Sequence, residues 1–140
     1  ISVKASDNDG NAAATKTATF TVDTVPPTLQ ITAPSNDLVT NKKTVTITGK
    51  TDDVTSKPVT VTVNGATVTV GTDGTFTKEV TLVEGANTIT IVAKDKAGKT
   101  TTVTRKVTVD TSAPVIKSIT LTPNPVDCGK TFIIAVEITD

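Results

Sequence analysis

From Val59 to Asp110, apolar residues fall on every second position through Val59, Val61 and Val63, then Val68 and Val70, then Val80 and Leu82, then Ile89, Ile91 and Ala93, with Thr in most places between. Side chains of an extended strand alternate between its two faces, so this period predicts strands with one face buried. Asn64-Gly65 and Asp73-Gly74 stand between successive runs. Both dipeptides accept the positive φ of a tight turn, and the segment is expected to be a meander of short antiparallel strands. Upstream, Leu29 to Ala33 reads as a first strand broken by Pro34, with Val39 continuing it along the edge. Thr44 to Lys50 reads as the next strand, with Val45 and Ile47 inward and Gly49 at a bend or bulge. The expected fold class is all-β, with Val61, Phe76, Ile89, Ile91 and Val107 in the core.

The pattern also repeats. ISVKASDNDGNAAATKTATFTVDTVPPTL at the start resembles ITIVAKDKAGKTTTVTRKVTVDTSAPVI later, with Asp7 over Asp95, Gly10 over Gly98, Asp23 over Asp110 and Pro27 over Pro114. The offset is 88 residues ahead of the first glycine and 87 after it, which is the size of one sandwich domain and not of a helical or propeller repeat. The chain therefore reads as a window on a tandem array. Residues 1–23 are expected to be the last hairpin of a preceding domain, 24–27 a linker stiffened by two prolines, and 28–110 a complete domain. Residues 111–114 repeat the linker, and 115–140 are expected to be the first two strands of a following domain. Sliding TFIIAVEITD by 88 residues places Asp140 over Asp52. Both flanking parts would leave apolar faces bare on their own, and such edges invite pairing with other chains.

Composition narrows the functions open to such an array. At 140 residues the chain can hold one good core and part of another. Lys+Arg and Asp+Glu are both 14, so no long-range field favours nucleic acid or an anionic membrane surface. With three Phe and no Trp or Tyr there is no platform for stacking bases or sugar rings. No stretch reaches the ~20 apolar residues of a membrane span, and no signal-peptide pattern is present. The chain begins inside a strand pattern and is expected to be an excerpt whose targeting signals lie elsewhere. Its one cysteine, Cys128, cannot form an intrachain disulfide and reads as a small apolar filler, so stability must come from the core or from bound ions. The absence of His excludes a Ser/His/Asp triad, a Cys/His pair and a His-based zinc site, and the glycines fall singly at turns. No catalytic residues are expected, and the segment reads as not an enzyme.

The run VNGATVTVGTDGTFTKEVTLVEGANTITIVAKDKAGKT followed by VDTSAP resembles the bacterial immunoglobulin-like (Big-type) domains found in tandem in secreted and surface-anchored proteins. The likeness spans roughly Thr28 to Asp110 as a whole domain and both flanks as partial copies. It implies an immunoglobulin-like β-sandwich of about seven antiparallel strands in a tandem array. The Cys, Trp, Cys core of antibody domains is missing here, and Phe76 with the Val and Ile ladder must fill that space. The implied function is a non-catalytic spacer or stalk in an extracellular, secreted or cell-wall-attached protein, such as an adhesin stalk or an S-layer protein. Its implied partners are neighbouring domains of the same chain and a cell-wall or host-surface component, with neither nucleic acid nor membrane insertion. Two other classes stand beside it: an adhesive or carbohydrate-binding accessory module, and a filament subunit assembled by strand complementation. A polypeptide continuing past both ends favours the spacer; one that stops there favours complementation.

One constellation carries chemistry. In a sandwich of that topology, the loop between the second and third strands and the loop between the last two meet at the pole where the chain enters. Asp52, Asp53, Asp95 and the linker residue Asp23 are thus expected to converge at one junction, with Asp110 beside Asp140 at the next. Hard oxygen ligands from several chain segments are what Ca2+ selects, and the resemblance to adhesin arrays also implies calcium at domain junctions. The plainer reading is that these aspartates only form Asx turns, and both readings stay open. Asp7, Asp9 and Asn11 are spaced like part of an EF-hand loop, but no Glu closes it at the twelfth position. The Thr-rich faces read as solvated strand surface, and no Asn-x-Ser/Thr sequon is present.

Overall fold

Two facing sheets account for the middle of the chain in a computed structural model that describes residues 1–122, 128–131 and 133–140. Phe132, in the last expected strand, lies outside them. The described residues form β1 (Ser2–Val3), β2 (Lys16–Thr17), β3 (Thr28–Ala33), β4 (Leu38–Thr40), β5 (Thr44–Asp52), β6 (Thr60–Val63), β7 (Ala66–Val68), β8 (Thr75–Thr81), β9 (Gly85–Lys94), β10 (Thr100–Val109), β11 (Val115–Thr122) and β12 (Ile133–Thr139), with no helix among them. One sheet has the order β3-β5-β8 and the other β4-β10-β9-β6-β7. The fold is an all-β sandwich.

Its core draws on the inner faces of both sheets. Ile31, Ile47 and Phe76 come from the first, and Val61, Val63, Ile89, Ile91, Ala93, Val107 and Val109 from the second, all buried. All five expected core residues are among them. Gly49 has no room for a side chain: a Cβ there would lie 2.6 Å from the Gln30 carbonyl oxygen and 2.7 Å from Phe76 Cζ. The glycine vacates the space that the Phe76 ring fills, the one buried aromatic ring among the described residues. The irregularity expected at Gly49 falls on its neighbour, where the β3 register shifts between Ile31 and Ala33.

The connections differ from a meander. Asn64 and Gly65, with φ of 48° and 83°, do close a tight hairpin between β6 and β7. Asp73-Gly74 instead serves a turn bridged only by Val70 and Phe76, after which β8 joins the opposite sheet. Alternation tells which face of a strand is buried but not which sheet holds it, and crossing between sheets is what sets two apolar faces against each other. The first strand also splits. β3 pairs with β5, whereas β4 crosses over and pairs in parallel with β10, Leu38 opposite Val107. The two sheets thus hold eight strands, one pair of them parallel, against the expectation of about seven antiparallel ones. Arg105 secures the crossover, its Nε donating to the Pro34 carbonyl and its Nη2 to that of Ile31, both at 3.2 Å.

The flanks form two-stranded ribbons, β1–β2 and β11–β12, antiparallel in both cases. In β11–β12 the cross-strand pairs Ile116–Ile138, Ile119–Val136 and Leu121–Ile134 share one exposed apolar face. Cys128 is exposed and fills no core. The register corrects one alignment: Thr28 pairs with Asp52 and Val115 with Thr139, so the ribbon repeats the β3–β5 pair at 87 residues (115 − 28 and 139 − 52). Asp140 therefore stands over Asp53, not over Asp52.

Truncating Phe76 to Ala should cost about 3–5 kcal/mol of unfolding free energy, measured by urea denaturation, because the ring is 3% exposed and nothing else can fill the space over Gly49. A loss below about 1 kcal/mol would mean that the ring is not a core element.

Candidate metal centre

Three chain segments meet at the N-terminal pole of the sandwich, and each brings an aspartate. The first follows β5. Along that strand Val45, Ile47, Gly49 and Thr51 share the inward parity, and Asp53 is the next position on it, buried at 5% exposure. Asp53 Oδ1 accepts the N–H groups of Thr55 at 2.7 Å and Ser56 at 2.8 Å, and the Thr55 hydroxyl at 3.0 Å. These backbone N–H groups, Thr55 first and Ser56 second, hold the carboxyl below its ordinary pKa.

The second segment is the turn between β9 and β10. Asp95 Oδ1 accepts the Lys99 N–H at 2.8 Å, its backbone N–H donates to the Lys99 carbonyl at 3.0 Å, and its residue exposure is 5%. The third segment is the stretch just ahead of β3, where Asp23 Oδ1 accepts the Val25 N–H at 3.0 Å. Its end is pinned to this pole. Pro27 is buried with its carbonyl on the Thr101 hydroxyl, and the Thr28 hydroxyl donates to the Asp52 carbonyl at 2.9 Å.

One carboxylate oxygen from each of Asp23, Asp53 and Asp95 lies within 4.8 Å of the other two. Oxygens bound to a single Ca2+, each at roughly 2.3–2.6 Å, are separated by no more than about 5 Å. The donors are all hard oxygens. Moreover, Asp23 Oδ2 and Asp95 Oδ2 are buried without a hydrogen-bond partner among the described residues. A buried carboxylate oxygen with no partner is costly, and it is the group a cation would satisfy. The residues present fit a hard divalent ion.

The remaining candidates sit elsewhere. Asp52, one step along from Asp53, faces outward onto Lys57 Nζ at 2.8 Å, and that hydrogen bond lowers its pKa. The strand parity distinguishes the two, and it was legible in the run from Val45 to Asp53. Asp110 forms the same linker turn as Asp23, accepting the Ser112 N–H at 3.0 Å. Asp140 is exposed at the register position of Asp53. Among the described residues neither belongs to a group of three carboxylates. Asp7 repeats the Asp95 turn, with Oδ1 accepting the Asn11 N–H at 2.8 Å, but its Oδ2 is satisfied by Asn11 Nδ2 at 2.9 Å. Two residues that the sequence pattern does not single out also act at the poles. Ser56 bridges the Asp53 and Asp95 loops, and Glu84 takes the Thr111 N–H and hydroxyl at 2.9 and 2.8 Å. Both contacts span distant positions and carry no local signal.

A family model described as glucodextranase, domain B, matches residues 27–111. Bacillopeptidase F of Bacillus subtilis (strain 168) is 34% identical over 119 residues, which is 85% of this chain and 8% of that protein. This chain thus spans a small fraction of the length of the curated relative it matches. Among solved structures, the fibronectin(III)-like modules of Clostridium thermocellum CbhA superpose with a TM-score of 0.46 at 26% identity, covering 78% of this chain and 60% of that one. A tetra-tandem repeat in the extending region of a large adhesion protein superposes with a TM-score of 0.47 at 22% identity, covering 97% of this chain and 44% of that one.

Because hydrogen bonds favour the ionised Asp53, its contribution to stability is present above the unfolded-chain pKa of about 3.9 and is lost as pH falls through the lower folded value. An NMR titration of the Asp53 carboxyl in metal-free protein should give a midpoint below that of an unstructured aspartate. A midpoint at or above it would show that the Thr55 and Ser56 donors do not hold the charge.

Proposed function

The chain belongs to the glucodextranase domain B family through residues 27–111, and from that footing we propose that it is a non-catalytic spacer of an extracellular multidomain protein whose domain junctions are stiffened by Ca2+. Residues 28–110 act as one complete immunoglobulin-like domain, and the two ribbons are parts of its neighbours in the array, in keeping with the Big-type resemblance. The finer role is that of a stalk or surface-layer segment that holds other domains away from a cell wall.

The observation that carries this reading is the grouping of Asp23, Asp53 and Asp95 within 4.8 Å, with two buried oxygens unsatisfied. Asp53 and Asp95 belong to the domain and Asp23 to the linker. A cation held by all three neutralises carboxylates that would otherwise repel one another. Asp23, held by both the cation and the Val25 N–H, then fixes the first residues of the linker to the domain surface. The two prolines that follow leave few free dihedrals through which a bend could enter. Such a clamp transmits orientation from one domain to the next and needs no recognition surface.

A binding role has less support. The hollow beside the Asp52–Lys57 ion pair, of ≈ 270 Å³, is lined by Thr51, Pro58, Val59, Val70 and Gly71 and offers no aromatic ring. Asp52 and Lys57, which also line it, are already paired with each other, and the aromatic anchors common in recognition sites are missing from its lining.

Calorimetric melting and small-angle scattering of the 140-residue chain, with millimolar calcium and then with chelator, test the proposal. Calcium should raise stability by about 2.7 kcal/mol when free ion exceeds Kd a hundredfold, and scattering should show a narrower distribution of shapes. Asp95→Asn should abolish both effects. An unchanged melting temperature together with unchanged scattering would leave these aspartates as turn formers only.

A further inference from the structure

The loops that carry Asp53 and Asp95 are joined by a single residue. Ser56 is 9% exposed. Its N–H donates to Asp53 Oδ1 at 2.8 Å, its carbonyl accepts the Lys96 N–H at 3.3 Å, and its hydroxyl oxygen accepts the Ala97 N–H at 2.9 Å. Lys96 and Ala97 are the two residues directly after Asp95. One short path of hydrogen bonds thus runs from the Asp53 carboxylate through Ser56 to the backbone of the Asp95 turn, across 41 residues of sequence. The linker aspartate has no such tie, since Asp23 Oδ1 is held by the Val25 N–H within its own turn.

We propose that Ser56 is the positioning residue of the junction site, fixing the separation of Asp53 and Asp95 before any cation binds. The site then has two parts: a pair of loops tied together through Ser56, and Asp23, which is placed beside them by the pinned stretch ahead of β3 and not by that tie. This rests on the cation reading above and assigns Ser56 no direct contact with the ion. Its physical basis is preorganisation. Two independent loops would have to be ordered by the cation at the expense of affinity, whereas two loops already tied together present their oxygens at fixed spacing. Thr55 provides the contrast. Its hydroxyl also reaches Asp53 Oδ1, at 3.0 Å, but that bond stays inside one loop and leaves the spacing to Asp95 untouched.

Isothermal titration of the 140-residue chain with calcium chloride tests this, alongside amide hydrogen exchange in calcium-free buffer. Ser56→Ala should weaken calcium binding by roughly tenfold, the usual size of a supporting-residue effect. It should also speed exchange at the Ala97 amide while core amides such as Ile91 stay protected, which separates loss of the tie from loss of the fold. Ser56→Thr keeps the hydroxyl and should restore both readouts. Thr55→Val removes a hydroxyl contact inside the Asp53 loop without breaking the tie and should leave Ala97 exchange unchanged. Asp23→Asn should bind more weakly yet leave Ala97 exchange unchanged, because the Asp23 carboxylate is held by the Val25 N–H and not through Ser56. If the wild-type chain takes up calcium and Ser56→Ala binds it equally well, the positioning role is wrong and the cation reading survives. If the wild-type chain takes up none, both fall together.

Discussion

Burial of two small sheet faces against each other is the constraint on which everything else in this chain depends. Neither sheet can stand alone, because each has one face of Val, Ile and Phe that water would cover. The chain therefore has to keep changing sheets, and Phe76 shows how tightly the faces meet: its ring occupies the space that a side chain at Gly49 would need. The apolar residues are mostly β-branched, and in strands these pack well at little conformational cost. A single aromatic ring among short branched side chains supplies bulk that a disulfide and Trp provide in antibody domains.

The same crossings decide where chemistry can arise. The crossing from β5 to β6 puts one loop at the N-terminal pole, and it meets there the hairpin turn between β9 and β10, which stay in one sheet. Asp53 and Asp95 turn inward there because their Oδ1 atoms satisfy backbone N–H groups that the tight loops would otherwise leave unpaired. Turn formation and cation binding are therefore not rival readings of these aspartates. The turn uses one oxygen of each carboxylate and orients the other.

At the opposite pole the chain leaves under a comparable restraint. Asp110 donates its N–H to the Thr40 carbonyl at 3.0 Å, and Glu84 receives both donors of Thr111. Backbone order thus extends past the end of β10 into the linker. The segments before β3 and after β10 are thus both hydrogen-bonded to the sandwich, one at each pole.

Much of this was written locally in the sequence. Period-2 spacing identified β5, β6 and β9 and the buried set of Val61, Phe76, Ile89, Ile91 and Val107, because alternation follows directly from strand geometry. Asn64-Gly65 specified its hairpin, and the 87-to-88-residue repeat aligned Asp7 with Asp95 and Asp23 with Asp110, whose turns are alike in the structure, since φ preference and self-similarity are also properties of short stretches. Only the tertiary structure decided that β8 deserts the β7 sheet, that β4 runs parallel to β10, that Asp140 stands over Asp53, and that Ser56 ties two loops 41 residues apart. A strand's own residues say which face must be hidden, but what hides it is settled by which distant faces fit together, and that information resides in no single stretch of the chain.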